Sequence, residues 1–168
     1  NLMSLNNIPP IKIGNLEFSL MLGGMGIGVS LDNLSAAFAN EGGAGTIASV
    51  ELGTLRGASG NYIAANKEAF REAIRSARKK SNGVIGVNIM HALVDYTGLV
   101  EIAIEENVDY IASGAGIPKD LPKYLNGKDI KLFPIVGSGR LADMICKAWS
   151  KYSHLPDAVT VEGPMAGG

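Results

Sequence analysis

Two stretches of the chain combine bare backbone with side chains able to do chemistry. The final one runs Asp157-Ala158-Val159-Thr160-Val161-Glu162-Gly163-Pro164-Met165-Ala166-Gly167-Gly168, a β-branched run that ends on a carboxylate and opens into a glycine-rich loop. In a parallel α/β protein that is where a strand stops and a ligand can reach the backbone. The second stretch is Gly23-Gly24-Met25-Gly26-Ile27-Gly28. Its glycines either let a flat ligand lie against the backbone or simply make a tight turn. It fits the dinucleotide fingerprint only in a shifted frame, and no acidic ribose partner follows at the right distance, so a Rossmann site is excluded.

Between them lies Asn88, in the apolar run Gly86-Val87-Asn88-Ile89-Met90. A buried amide without a partner costs about 1–3 kcal/mol, so a bound heteroaromatic ring or a neighbouring backbone should satisfy it, and both readings stay open. Glu162 poses the same question more sharply, because a buried carboxylate needs donors, a cation or a raised pKa. His91 follows the Asn88 run without an orienting carboxylate, and His154 falls in the loop that enters the last strand, on the far side from the other groups. No spacing suits a metal, and no nucleophile has a matched base.

These residues need elements to hold them. Ile11-Lys12-Ile13 before Gly14-Asn15 suggests a small capping hairpin. Strands are expected at Ser19–Leu22, Ala44–Val50, Val84–Met90, Tyr110–Ser113, Lys131–Val136 and Asp157–Val161. Helices are expected at about 31–41 with Ser30 as N-cap, at about 67–80 capped by Asn66, near 96–106, at Pro118–Leu125 and over 139–151, while 53–65 reads as a glycine-bearing loop. Strand and helix alternate with no hairpin between strands, the pattern of successive βα units.

Gly23-Gly24-Met25, Asn88, Ser113-Gly114-Ala115-Gly116, Gly137-Ser138 and Glu162-Gly163 all fall at strand C-termini. A ring of such ends describes the catalytic face of a (β/α)₈ TIM barrel, which takes roughly 250 residues for its eight units. The 168 residues therefore suit about the first six units, a partial barrel domain over residues 1–168 with the later units absent. A complete doubly wound domain is the alternative. A binding loop at the end of a chain has nothing to hold its far side, which favours the partial barrel.

Composition agrees with a sheet covered on both faces: 46% hydrophobic, 18% charged, 22 glycines. A net charge of −1 gives no reason to expect nucleic acid or an acidic membrane surface as partner. The single cysteine, Cys146, cannot form an internal disulfide, and with no signal-peptide pattern the expected setting is cytoplasmic. A small-molecule substrate is the partner expected, and a homo-oligomer stays open.

Gly23-Gly24-Met25, Gly86-Val87-Asn88-Ile89, Ser113-Gly114-Ala115-Gly116 and Val161-Glu162-Gly163-Pro164-Met165-Ala166-Gly167-Gly168 together resemble the FMN-dependent nitronate monooxygenases (2-nitropropane dioxygenase-like), with the flavin enoyl-ACP reductases close behind. The likeness runs from about Ile11 to the last residue, and the E-G-x-x-A-G-G element is its most specific part. It implies an FMN-binding barrel in which Gly23, Gly24 and Met25 pack near the isoalloxazine and Asn88 hydrogen-bonds it. Gly114, Glu162 and Gly167 would also lie at the cofactor, and the catalytic histidine would follow Gly168. The resemblance thus implies oxidation of an alkyl nitronate by oxygen to a carbonyl compound and nitrite. The alternatives are an NAD(P)H-dependent enoyl reductase and an idle flavin-binding protein. Residues 1–168 alone, without that histidine and the phosphate loops of later units, are expected to hold FMN weakly and to be inactive.

Overall fold

The computed structural model describes residues 8–55, 57 and 60–165. Its centre is a five-stranded parallel sheet of Ala44–Ala48 (β3), Val84–Met90 (β4), Tyr110–Gly114 (β5), Lys131–Val136 (β6) and Thr160–Val161 (β7), ordered in space as in sequence. A doubly wound sheet reverses its strand order midway. This one does not, so the curled sheet is a half-barrel of consecutive βα units.

Alternation along each strand separates two cores. Ile47, Ile85, Val87, Ile89, Ile111 and Leu132 point outward to the helices. There Asp32–Asn40 (α1) and Tyr62–Lys80 (α3) lie side by side, Tyr96–Glu105 (α4) covers β4, and Gly139–Trp149 (α5) covers β6. The opposite, concave face carries Ala44, Tyr110, Ala112 and Phe133. The hairpin of Ile11–Ile13 (β1) and Leu16–Phe18 (β2) closes its lower end by burying Leu16 and Phe18 there. That capping role is what the Ile-Lys-Ile-Gly-Asn run suggests.

Several expectations need correction. Ser19–Leu22 is no full strand: it meets the sheet through one parallel bridge, Met21 to Ala44, before Gly23 ends the pairing. The final strand is two residues, because Asp157 turns its carboxylate to accept from Leu132 N–H (2.9 Å) rather than extending the ladder. Residues 53–65 are not a continuous loop, since a helical turn, Leu52–Leu55 (α2), and the start of α3 fall within them. Asn61, not Asn66, caps α3 by accepting from Ala64 N–H. Asn66 is instead buried inside the helix, where its amide accepts from Gly53 N–H and donates to Ser49 C=O, both at 3.2 Å. Pro122 limits the 118–125 segment to a 3₁₀ turn at Leu121–Tyr124.

Ser30 does not cap α1, whose N-cap is Leu31 with no side-chain hydrogen bond. Its hydroxyl faces the other way, into the Gly23–Met25 loop. Among the described residues no helix is long and apolar enough to cross a membrane.

Candidate functional site

The C-terminal edge of the sheet forms the mouth of the half-barrel. Register places Asn88 between Ala48 of β3 and Ala112 of β5, and Met90 beside Gly114. Small neighbours on both strands leave room in front of the Asn88 side chain. Gly24 forms the remaining wall: a Cβ at that position would fall 2.4 Å from Asn88 Cγ. Asn88 is half-buried rather than buried, and its amide has no hydrogen-bond partner among the described residues. Neighbouring backbone therefore does not satisfy it, and a donor and an acceptor face the open mouth.

Hydroxyl groups hold the loop that supplies Gly24. Beneath it, Thr46 Oγ1 donates to Leu22 C=O. The Tyr110 phenol hydrogen is shared between Thr46 Oγ1 (2.5 Å) and Gly45 C=O (2.9 Å). Tyr110 and Thr46 stand two strands apart, so the ring must cross β4. It does so over Gly86, where a Cβ would meet the ring at 2.4 Å. Phe133 stacks on the far side of the ring, with centroids 5.0 Å apart. Burial pushes the Tyr110 phenol far above its ordinary pKa, so it remains a donor throughout the neutral range. On the loop itself, Ser30 Oγ donates to Gly23 C=O (2.6 Å) and accepts from Met25 N–H (3.0 Å).

The β4 and β5 ends are joined in a similar way. His91 N–H donates to Gly114 C=O (2.7 Å), and the His91 ring leans on Tyr96 with centroids 4.7 Å apart. Ser113 Oγ donates to Ile89 C=O (2.9 Å), which leaves it to accept from the Tyr96 phenol at 3.1 Å. Burial, the larger effect, pushes the Tyr96 phenol up to about 12 against that hydrogen bond. Ala115, just beyond, takes φ +51, and Glu51 after β3 takes φ +54. Left-handed backbone at non-glycine residues costs on the order of 1 kcal/mol or more and tends to gather at functional sites.

The sequence-expected residues separate into groups. Gly24 and Asn88 touch, Gly23 and Met25 share their loop, and Gly114 lies at the same edge beside Ile135. Glu162 is tied to the sheet through its N–H to Val136 C=O (2.9 Å), but its side chain is exposed, not buried, because β7 is short and lies at the sheet's edge. Gly167 lies outside the described residues. His154 sits at the opposite end, its ring tilted against Trp149 near a groove of about 400 Å³ lined by Lys128, Tyr152 and Asp157. Ser30, Thr46, Tyr110 and Ser113 were not singled out from sequence. The one signal was Gly86, a glycine inside a strand two residues before Asn88.

Set against known proteins, residues 9–168 match the family pattern described as nitronate monooxygenase. The chain belongs to the nitronate monooxygenase family. FabK from Thermotoga maritima is 31% identical and superimposes with a TM-score of 0.72, covering 93% of this chain and 44% of FabK. The FabK M276A mutant from the same organism gives 30% identity, a TM-score of 0.72, and coverage of 91% and 45%. Nitroalkane oxidase from Streptomyces ansochromogenes shares the fold at a TM-score of 0.71 and 16% identity, with coverage of 90% and 48%. The chain thus spans about half the length of these solved structures. No curated protein sequence matches it. As a member of the nitronate monooxygenase family, the chain presents its Asn88–Gly24 pair at the edge where barrel enzymes place their chemistry.

Proposed function

We propose that this chain forms the flavin-facing half of an FMN-dependent oxidoreductase that converts alkyl nitronates, with oxygen, to a carbonyl compound and nitrite. The observation that carries this reading is the Asn88 amide, left without a partner at the barrel mouth and walled by Gly24, Ala48 and Ala112. That setting fits a planar heteroaromatic edge. An amide offers two donor hydrogens and an acceptor, and the wall against it carries no bulky side chain. When bound, a flavin supplies the electron-accepting ring.

The chain's own contribution is placement. Asn88 holds the ring edge, and Gly23 and Gly24 let backbone approach its face. The Tyr110–Thr46 hydroxyls fix Leu22, and with it the point from which the loop departs. Met25, 44% exposed, and Ile27, 48% exposed, give that loop an apolar outer surface suited to excluding water from an alkyl substrate. Glu162, on its exposed edge, is free to accept from ligand hydroxyl or N–H groups. The residue that moves the substrate proton is expected beyond Gly168.

Identity of 30–31% to the FabK structures favours a second reading, an enoyl-thioester reductase that draws electrons from NAD(P)H on the same mouth. Anaerobic mixing of the intact protein separates the two. The first reading expects an alkyl nitronate to bleach the flavin absorbance and NADH to leave it nearly unchanged. Fast bleaching by NADH together with crotonyl-thioester turnover would move the assignment to the reductase.

A further inference from the structure

We infer that Ser30 is a positioning residue for the cofactor-facing loop, an inference that rests on the flavin reading above. Ser30 is fully buried, although it follows a loop that is largely exposed. Its sequence position, just before α1, offers the hydroxyl a free helix N–H to accept from. The hydroxyl turns from the helix to the loop instead, donating to Gly23 C=O (2.6 Å) and accepting from Met25 N–H (3.0 Å). Both main-chain groups of Ser30 are also engaged, its N–H donating to Met25 C=O (2.9 Å) and its C=O accepting from Ala48 N–H (2.9 Å).

The consequence reaches Gly24. Gly23 C=O and Met25 N–H flank it on either side, so one hydroxyl fixes the peptide planes before and after the glycine that walls Asn88. Glycine backbone has wide conformational freedom, and without this clamp Gly24 could move by more than the few tenths of an ångström its contact with Asn88 tolerates. Because Ser30 is anchored through Ala48 to β3, the loop takes its position from the strand adjoining Asn88. Its own contacts are with the loop, so its effect on a flavin is through Gly24.

The test uses the intact protein, with FMN as the probe. Ser30→Ala should weaken FMN binding about tenfold or more, the loss expected when two linked hydrogen bonds are removed, and in flavin-free protein it should speed hydrogen exchange at Met25 N–H. Ser30→Thr, which keeps the hydroxyl, should restore most of both. Ser35→Ala is the matched control: Ser35 is equally buried, but its hydroxyl donates to Thr46 C=O (2.5 Å), away from the loop. It should lower the unfolding midpoint and leave FMN affinity within about twofold. Should Ser30→Ala fail to fold, Ser30→Cys removes the strong acceptor at nearly constant size and is read the same way. Wild-type affinity in the Ser30 variants, or an equal loss in Ser35→Ala, would overturn the inference. A wild-type protein that binds no FMN would instead overturn the flavin reading, and exchange at Met25 N–H would then decide alone whether Ser30 holds the loop.

Discussion

Gly24 and Asn88 are in such close contact that the glycine's missing side chain is part of the site: a Cβ there would approach Asn88 Cβ to 2.3 Å and Cγ to 2.4 Å. One of the two groups has to move if a methyl is added. Gly24→Ala should therefore cost about 1–3 kcal/mol through overpacking and weaken flavin retention with it. At Gly23 the same methyl meets nothing within 4 Å. Gly23→Ala should stay within about 0.5 kcal/mol of wild type and lower flavin affinity alone, if the ring comes over it. Denaturation midpoints and flavin titrations of the two variants check this pair directly.

Asn66 is expected to matter for stability rather than for the cofactor. Its amide links Gly53 N–H to Ser49 C=O and so ties α2 to the end of β3. Asn66→Ala leaves both groups buried without a partner, at about 1–3 kcal/mol each. Chemical denaturation should show a loss of about 2 kcal/mol or more, with flavin affinity in the surviving folded fraction close to wild type.

Alkaline pH should destabilise the protein through two tyrosines. Tyr96 is pushed up to about 12 from an ordinary 10.0, and Tyr110 further, both chiefly by burial. The raised values mean that the folded state keeps protons the unfolded state releases. Their contribution is complete below pH 10 and is lost as pH climbs toward 12 and beyond. Each tyrosine should add up to about 1.4 kcal/mol of lost stability per pH unit in that window. Tyr96→Phe should flatten the slope measured between pH 9.5 and 11.5 by roughly one proton's worth.

The parallel architecture was legible because each buried strand reads as a continuous apolar run, and glycine or a small polar residue marks where it stops. Val84–Met90 and Lys131–Val136 match to the residue. Ser19–Leu22 looked like a strand for the same reason, yet one bridge is all it forms, since pairing depends on neighbours that local sequence does not specify. Ser30 and Asn66 both stand where helix caps belong. Tertiary partners won in each case: backbone groups of the glycine loop and of α2 lacked other donors or acceptors. The Gly24–Asn88 contact joins residues 64 positions apart through a loop, and no periodicity announces it. Glu162 was expected buried on its apolar approach, Thr160-Val161, but a two-residue edge strand does not cover a side chain.

The most direct test of a flavin seated on the Asn88 amide is FMN affinity in the intact protein and in Asn88→Ala, read beside their unfolding midpoints. Asn88 is half-buried with no partner to lose, so truncation should leave the midpoint nearly unchanged. Affinity should fall about tenfold or more, as a well-placed amide interaction with a ligand is removed. A colourless wild-type protein with no FMN affinity, or an Asn88→Ala variant that binds FMN as tightly as wild type, would contradict the account.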